Sequence, residues 1–378
     1  MSMEKQEPSL EADEQSGSLL FQRVPQEIRN HIYAQLFSSI RLTFGFRWNG
    51  CTSRVAVKPA PHGFAFLHSC RRARLEINDS WLQYMLFSFE DPYEMLDHLS
   101  ALPTEMLSKI RRVRVSGDQL AYTIFGEQEL YPLAGALKLL PGLQLDQLTV
   151  VGLPEGRDSY NTLNGLIKGS GGWKTLRFVS PNSSMLGFEA SRKVPFTDDT
   201  VVNDWEDWRE SQPENWQAML EARDGRDSHP SVTVYRAREP SHRSSRPIPR
   251  PSECVEYRQE PVQQLPGWNP DFVPEDPDLM GEGEKDKALL VVVKRGAGVD
   301  YQEKEDSPFV NGDLREHEHG STWEEIGGPS LWANGGRVRD RQPPIVDDYN
   351  DPEEHVWTQR HFCKGLYGVH YDCHRDEC

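Results

Sequence analysis

The chain has 378 residues, with 42 Lys and Arg against 59 Asp and Glu and a formal net charge of −17 at pH 7. That balance argues against a general binder of nucleic acid or of anionic membranes. Only 37% of the residues are hydrophobic, there are 29 Gly, and most of the 27 Pro fall in the second half, so part of the chain is expected to lie outside any packed core. The six cysteines lack disulfide-framework spacing, which fits a reducing compartment. Residues 1–17 form an acidic, polar leader without the basic and apolar regions of a secretory signal. The most apolar run, residues 288–293, is far too short to span a membrane. The expectation is a soluble intracellular protein, cytoplasmic or nuclear, long enough for two domains or for one with long tails.

The first element is a helix opening at Pro25, a residue suited to the first helical position. Glu27 places negative charge in the first turn, where the helix dipole favours it. Ile28, Ile32 and Leu36 recur at intervals of four, with Tyr33 and Phe37 widening the stripe. Such a stripe serves either as a core face or as a partner-binding face. Next comes a hairpin signal, Asn49-Gly50 between the β-forming residues 41–48 and 53–57. Residues 66–82 read as one helix, with Leu67, Cys70, Ile77 and Trp81 on its apolar side and Arg71, Arg72, Arg74 and Glu76 outward. Cys70 reads there as a small buried hydrophobe. After the Phe87-Ser88-Phe89 strand, Asp91-Pro92-Tyr93-Glu94 opens a further helix, with Asp as cap and Pro at the first position.

From Ile110 onward three segments share the form apolar-x-x-apolar-x-apolar: residues 110–115, 145–150 and 173–178. Helical stretches at 129–140 and 160–167 lie between them. Strand, helix and strand at intervals of roughly 28 to 35 residues suggest parallel β-α units, loosely like degenerate leucine-rich repeats but without their asparagine ladder. The strands either present a protein-binding face or complete the core of the first domain. Residues 203–222, with Trp205, Trp208 and Trp216, read as a helix packing on that layer, and residues 231–235 as its last strand. Residues 236–251 read as a linker. Residues 288–293 are expected to cross that linker and join the earlier sheet, and residues 296–352 to stay largely unstructured.

Two of these segments carry a resemblance. Val24-Pro25-Gln26-Glu27-Ile28-Arg29-Asn30-His31-Ile32-Tyr33 is similar to the "LP-x-E-I-R-x-x-I-Y" opening of a group of fungal F-box-like proteins. Residues 66–76, with Cys70, Arg71 and Glu76, resemble that group's "L-L-x-x-C-R-x-x-x-x-E" helix, and the Phe87-Ser88-Phe89 strand follows in the same order. The match covers about the first third of the chain. It implies an F-box-like module in which Val24, Pro25, Ile28, Ile32 and Leu36 contact a Skp-type adaptor of a cullin ubiquitin ligase. The hairpin after the first helix departs from the compact helical run of an ordinary F-box.

No nucleophile elbow is present, and Gly169-Ser170-Gly171-Gly172 precedes a strand instead of opening a helix, so it reads as a turn and not as a phosphate loop. The C-terminus gathers His361, Cys363, His370, Cys373, His374 and Cys378, which is the ligand palette of zinc. Cys363, His370, Cys373 and Cys378 are the candidate metal ligands, against the alternative of a free tail. No other cofactor is indicated.

These readings combine into a mixed α/β, or α+β, protein. The expected plan is a leader (1–17), an F-box-like helix and hairpin module (18–100), an irregular leucine-rich-repeat-like α/β layer (101–300, with a linker at 236–287) and a largely disordered tail (301–378). The expected function is a non-catalytic interaction module whose partners are a Skp-type adaptor and a protein substrate. The alternatives are a scaffold of the same fold without the ligase connection, and a zinc-binding protein.

Overall fold

The structure is a computed structural model that describes residues 17–44, 47–49, 53–55, 64–124, 127–186, 211–240, 254–258, 281, 283–304 and 345–348. The chain opens with α1 (Leu19–Arg23), α2 (Gln26–Ser38) and β1 (Ile40–Phe44), followed by a hairpin of β2 (Arg47–Asn49) and β3 (Ser53–Val55). Then come α3 (Ala65–Ser69), α4 (Arg71–Ile77), β4 (Leu86–Phe89), α5 (Pro92–Leu99), α6 (Thr104–Leu107) and β5 (Arg112–Ser116). A second hairpin of β6 (Leu120–Ile124) and β7 (Glu127–Tyr131) leads to α7 (Leu133–Lys138), β8 (Leu145–Val151), α8 (Gly156–Gly169) and β9 (Trp173–Ser180). The rest comprises α9 (Glu214–Asp224), β10 (Ser231–Ala237), β11 (Cys254–Tyr257), β12 (Leu289–Lys294) and β13 (Ile345–Asp348).

Nine strands form one sheet in the order β11-β10-β12-β9-β8-β5-β4-β1-β13. The chain is thus a mixed α/β protein, and its sheet runs through both segments that the sequence divides near residue 100. β1, β4, β5, β8 and β9 are parallel. β12, β10 and β11 extend the sheet antiparallel on one side, and β13 does so on the other.

Each parallel strand lies next to its predecessor in the chain, with no reversal of order. Right-handed crossovers in such a stepwise sheet put the connecting helices on one face. The packing agrees. One apolar ladder runs in register from Leu42 through Phe87, Val113, Leu148, Leu176 and Val293 to Val232. It shares a core with Phe37 of α2, Ile77 of α4, Leu96 of α5, Leu137 of α7, Leu166 of α8 and Trp216 of α9.

Several local expectations hold. Asp91 caps α5, its Oδ1 accepting from the Glu94 N–H at 2.9 Å, and the three shared-form segments become β5, β8 and β9. Residues 288–293 do cross the linker, where β12 pairs with β9 on one side and β10 on the other. β10 is therefore not the neighbour of the parallel strands, because β12 is inserted between them.

Other expectations need correction. The helix over 66–82 is broken at Cys70, whose backbone is extended (φ −158°, ψ 151°). Cys70 is only half-buried and caps α4, its Sγ accepting from the Ala73 N–H at 3.2 Å. The 3.6-residue phase does not carry across that break, so Glu76, expected outward, turns inward. The helix over 129–140 begins only at Leu133, because residues 127–131 pair in the second hairpin and Pro132 takes the N-cap. The first hairpin forms between β2 and β3, while β1 joins the main sheet parallel to β4. Gly50, Trp205 and Trp208 lie outside the described residues.

Leu289, fully buried on β12, tests this long-range strand. Leu289→Ala is expected to cost about 2–5 kcal/mol, seen as a lower urea midpoint at unchanged m. Val255→Ala on the sheet's outer strand, where Val255 is exposed, should stay within about 0.5 kcal/mol.

Candidate partner-binding surface

Pro25 sits at the N-cap of α2, one position ahead of the expected N1, and its carbonyl accepts from the Arg29 N–H at 3.0 Å. The helix does not turn the expected apolar stripe inward. Its buried residues are Arg29, Tyr33 and Phe37, spaced four apart. Ile28 and Ile32 remain 50% and 45% exposed, and Pro25 is exposed as well. Val24 is half-buried, and Leu36 is half-buried where it packs against the core.

An arginine holds the inward position because a carboxylate waits there. Arg29 Nε donates to Glu76 Oε2 at 2.8 Å and its Nη2 to Oε1 at 2.7 Å, a bidentate pair. Arg29 Nη1 donates to the Val24 carbonyl at 2.5 Å, which ties the helix to its own entry. The Tyr33 hydroxyl donates to Glu76 Oε2 at 3.1 Å, and Arg72 Nε reaches Oε1 at 3.2 Å. Phe21 of α1 lies under both guanidiniums, at 5.5 Å from Arg29 and 4.8 Å from Arg72. Glu76 thus joins α2 to α4 and leaves the Ile28–Ile32 side of α2 in solvent. Arg29 and Tyr33 of the first segment meet Glu76 of the second at this junction, and Cys70 caps the helix that carries Glu76.

The electrostatics follow from the geometry. Burial raises the Glu76 carboxyl, but the hydrogen bonds from Arg29, Arg72 and Tyr33 outweigh it and hold it below its ordinary value of 4.5. Burial and the Glu76 carboxylate push the Tyr33 phenol up to about 12, so it stays a donor. The hydrogen bond to Glu76 raises Arg29 further.

The face of the sheet opposite the helices has a different chemistry. Thr43, Ser88, Arg114, Thr149 and Arg177 stand in one cross-strand row, continued by Val292 and Thr233. A second row holds Arg112, Gln147, Thr175, Lys294 and Ser231 in register, with Arg41 beside Leu86 at its β1 end. Arg114 Nη1 donates to Ser88 Oγ at 3.1 Å, and Gln147 Nε2 to Thr149 Oγ1 at 3.2 Å. Arg41, Arg112, Arg114 and Arg177 are engaged in further contacts. These rows escaped the sequence reading, although the variable position between the last two apolar residues of each shared segment is Arg114, Thr149 or Arg177.

The Gly169–Gly172 turn already holds an anion, the chain's own Glu303. Its Oε2 accepts from the Gly171 and Gly172 N–H groups at 3.0 and 2.7 Å and from Ser170 Oγ at 3.1 Å. Burial keeps that carboxyl above its ordinary value despite these donors. Residues 296–304, expected to be unstructured, are therefore fixed onto the sheet. Cys363, His370, Cys373 and Cys378 lie outside the described residues, and no cluster of metal-ligating side chains occurs among the described residues. No described helix is long and apolar enough to cross a membrane.

The chain matches no protein-family model, no curated protein and no solved structure.

The Glu76 clasp predicts a pH dependence. A carboxyl lowered on folding contributes stability above its ordinary titration range and loses it as pH falls through the folded value. Glu76→Gln should cost about 2 kcal/mol at pH 7, measured by chemical denaturation. Its deficit relative to wild type should shrink as pH is lowered below about 4.5, because the wild-type carboxyl then protonates too.

Proposed function

We propose that this chain is a non-catalytic protein-interaction module of the F-box-like kind. In this reading the outward side of α2, Ile28 and Ile32 with Pro25 at the helix entry, docks a Skp-type adaptor. Val24 and Leu36 sit half-buried at the margin of that surface. The stepwise α/β layer, loosely like irregular leucine-rich repeats, carries the substrate. The observation that supports the reading is the exposure of two isoleucines, each near half, on a helix anchored by its opposite side. A helix folded only to fill a core has no use for that stripe, and exposed apolar side chains on a rigid helix suit helix-mediated recognition.

A pull-down and a titration of the full chain against purified Skp adaptor test the reading, beside the double variant Ile28→Asp, Ile32→Asp. Binding by wild type, weakened at least about 30-fold in the variant, with an unchanged melting temperature, is the expected outcome. Because both side chains are exposed, the variant is expected to fold. Absence of binding by folded wild-type protein removes the ligase connection and leaves an interaction scaffold.

A further inference from the structure

Among the described residues, the exposed large apolar side chains are Leu19, Ile28, Ile32, Leu75 and Val255. All but Val255 belong to α1, α2 and α4, the three helices that meet around Glu76. Single exposed apolar residues are ordinary on a protein surface, but four gathered on three adjoining helices are not. Helix geometry brings three of them to one side. On α2, Arg29 and Tyr33 point to Glu76; Phe37 lies about 60° to one side of them and Ile32 about 80° to the other. On α4, Ile77 and Leu75 flank Glu76 in the same way. Phe37 and Ile77 both enter the core, so Ile28, Ile32 and Leu75 emerge together on the outer side of the seam between α2 and α4. α1 adjoins this seam through Phe21, which lies under Arg29 and Arg72. Leu19 and Arg23, four residues apart, share the side of α1 away from Phe21.

The seam is basic in a chain whose net charge is −17. α1, α2 and α4 carry five arginines against two carboxylates, Glu27 and Glu76. Arg29 and Arg72 already bind Glu76. Arg23 and Arg74 are exposed, and neither has an ion-pair partner among the described residues. Apolar anchors rimmed by cations fit the opposite pattern, apolar side chains rimmed by carboxylates. An anionic membrane or a nucleic acid fits less well. Either spreads its charge over a wide area and meets the acidic remainder of the chain, whereas one helix covers the seam alone.

We propose that the outer side of the α2–α4 seam is a docking surface for an acidic amphipathic helix of a partner protein. Leu75 extends the Ile28–Ile32 stripe there, and Arg23 and Arg74 form the rim. The inference rests on the reading of α2 as a partner-binding helix and adds the chemistry of the partner. It holds whether or not that partner belongs to a ubiquitin ligase. The apolar contacts supply the hold, and the arginines select for acid and speed the encounter.

The test titrates the full chain by anisotropy with a fluorescein-labelled peptide of about 18 Leu and Glu residues, its leucines at helical spacing. A counterpart carries Lys in place of every Glu. The acidic peptide should bind at least about tenfold more tightly than the basic one. The double variant Arg23→Glu, Arg74→Glu and the single variant Leu75→Asp should each weaken it by at least about tenfold. All three side chains are exposed, so both variants should keep the wild-type melting temperature. Raising the salt from about 0.05 to 0.5 M should weaken binding by wild type more than by the arginine variant. Equal binding of the two peptides, binding indifferent to the arginine variant, or no binding by folded wild type overturns the proposal. Binding to vesicles of equal parts phosphatidylcholine and phosphatidylserine, without binding to the acidic peptide, assigns the surface to a membrane and overturns it as well. Purified Skp adaptor, titrated in parallel, separates this proposal from adaptor docking. Adaptor binding that is lost in Ile28→Asp, Ile32→Asp but unchanged in the arginine and Leu75 variants keeps adaptor docking and overturns the proposal. Arginine-dependent binding of the acidic peptide without adaptor binding supports the proposal and removes the ligase connection.

Discussion

The structure depends on one apolar ladder carried in register across seven strands. One apolar residue of each of β1, β4, β5, β8, β9, β12 and β10 belongs to that ladder, and a slip of one residue in β1, β5, β8, β9 or β10 would put arginine or threonine into the helix-packed core. That penalty fixes the register more firmly than hydrogen bonds alone could, because the ladder bonds look alike in every register. The stepwise strand order then assigns the helices to the apolar side. One sheet thereby acquires an apolar face and a face that mixes polar rows with a small apolar cluster of Val179, Leu290, Tyr235 and Val292. The segmentation seen in the sequence disappears in three dimensions, because β1 and β4 contribute to the same ladder as β8 and β9.

The Arg29–Glu76 clasp solves a different problem. α2 carries two candidate inward stripes, Ile28–Ile32–Leu36 and Arg29–Tyr33–Phe37, about one residue apart around the helix. Apolar burial alone favours the first. The second wins because Phe37 and Tyr33 bring larger buried surface and because Glu76 satisfies Arg29 bidentately while also accepting from Tyr33. Once Arg29 is paired, the cost of its burial is offset, and the isoleucines are left outside. A choice made by one carboxylate on α4 thus sets which side of α2 faces solvent.

This explains what was legible in the sequence and what was not. The strands at 112–116, 145–151, 173–180 and 289–294 could be read, because a period-two pattern over long apolar segments is a local signal. The α5 cap was legible for the same reason. The outward turn of Ile28 and Ile32 was not, since it depends on a residue nearly fifty positions away whose own direction depends on the break at Cys70. The polar rows were half-visible. Each shared segment displayed its Arg or Thr, but only strand order and register align them into one row across the sheet. Glu303 was hidden entirely, because a glycine turn reveals its anion only when the chain returns to it.

The same geometry bears on how the two faces of the sheet are kept apart. α2 contributes Tyr33 and Phe37 to the core on the apolar side of the sheet, whereas the arginine rows occupy the other side, with the full apolar ladder between them. Charge added or removed on the outer face does not touch the α2 stripe. Coupling between the two would have to pass through β1, which follows α2 directly and takes β13 on its free edge. β1 is therefore the element at which a change on one face meets the other. Its five residues are all buried, with Arg41 and Thr43 on the polar side and Ile40, Leu42 and Phe44 in the core. A strand so committed on both faces transmits displacement poorly. The apolar ladder and the polar rows thus meet in one strand whose side chains are all already buried.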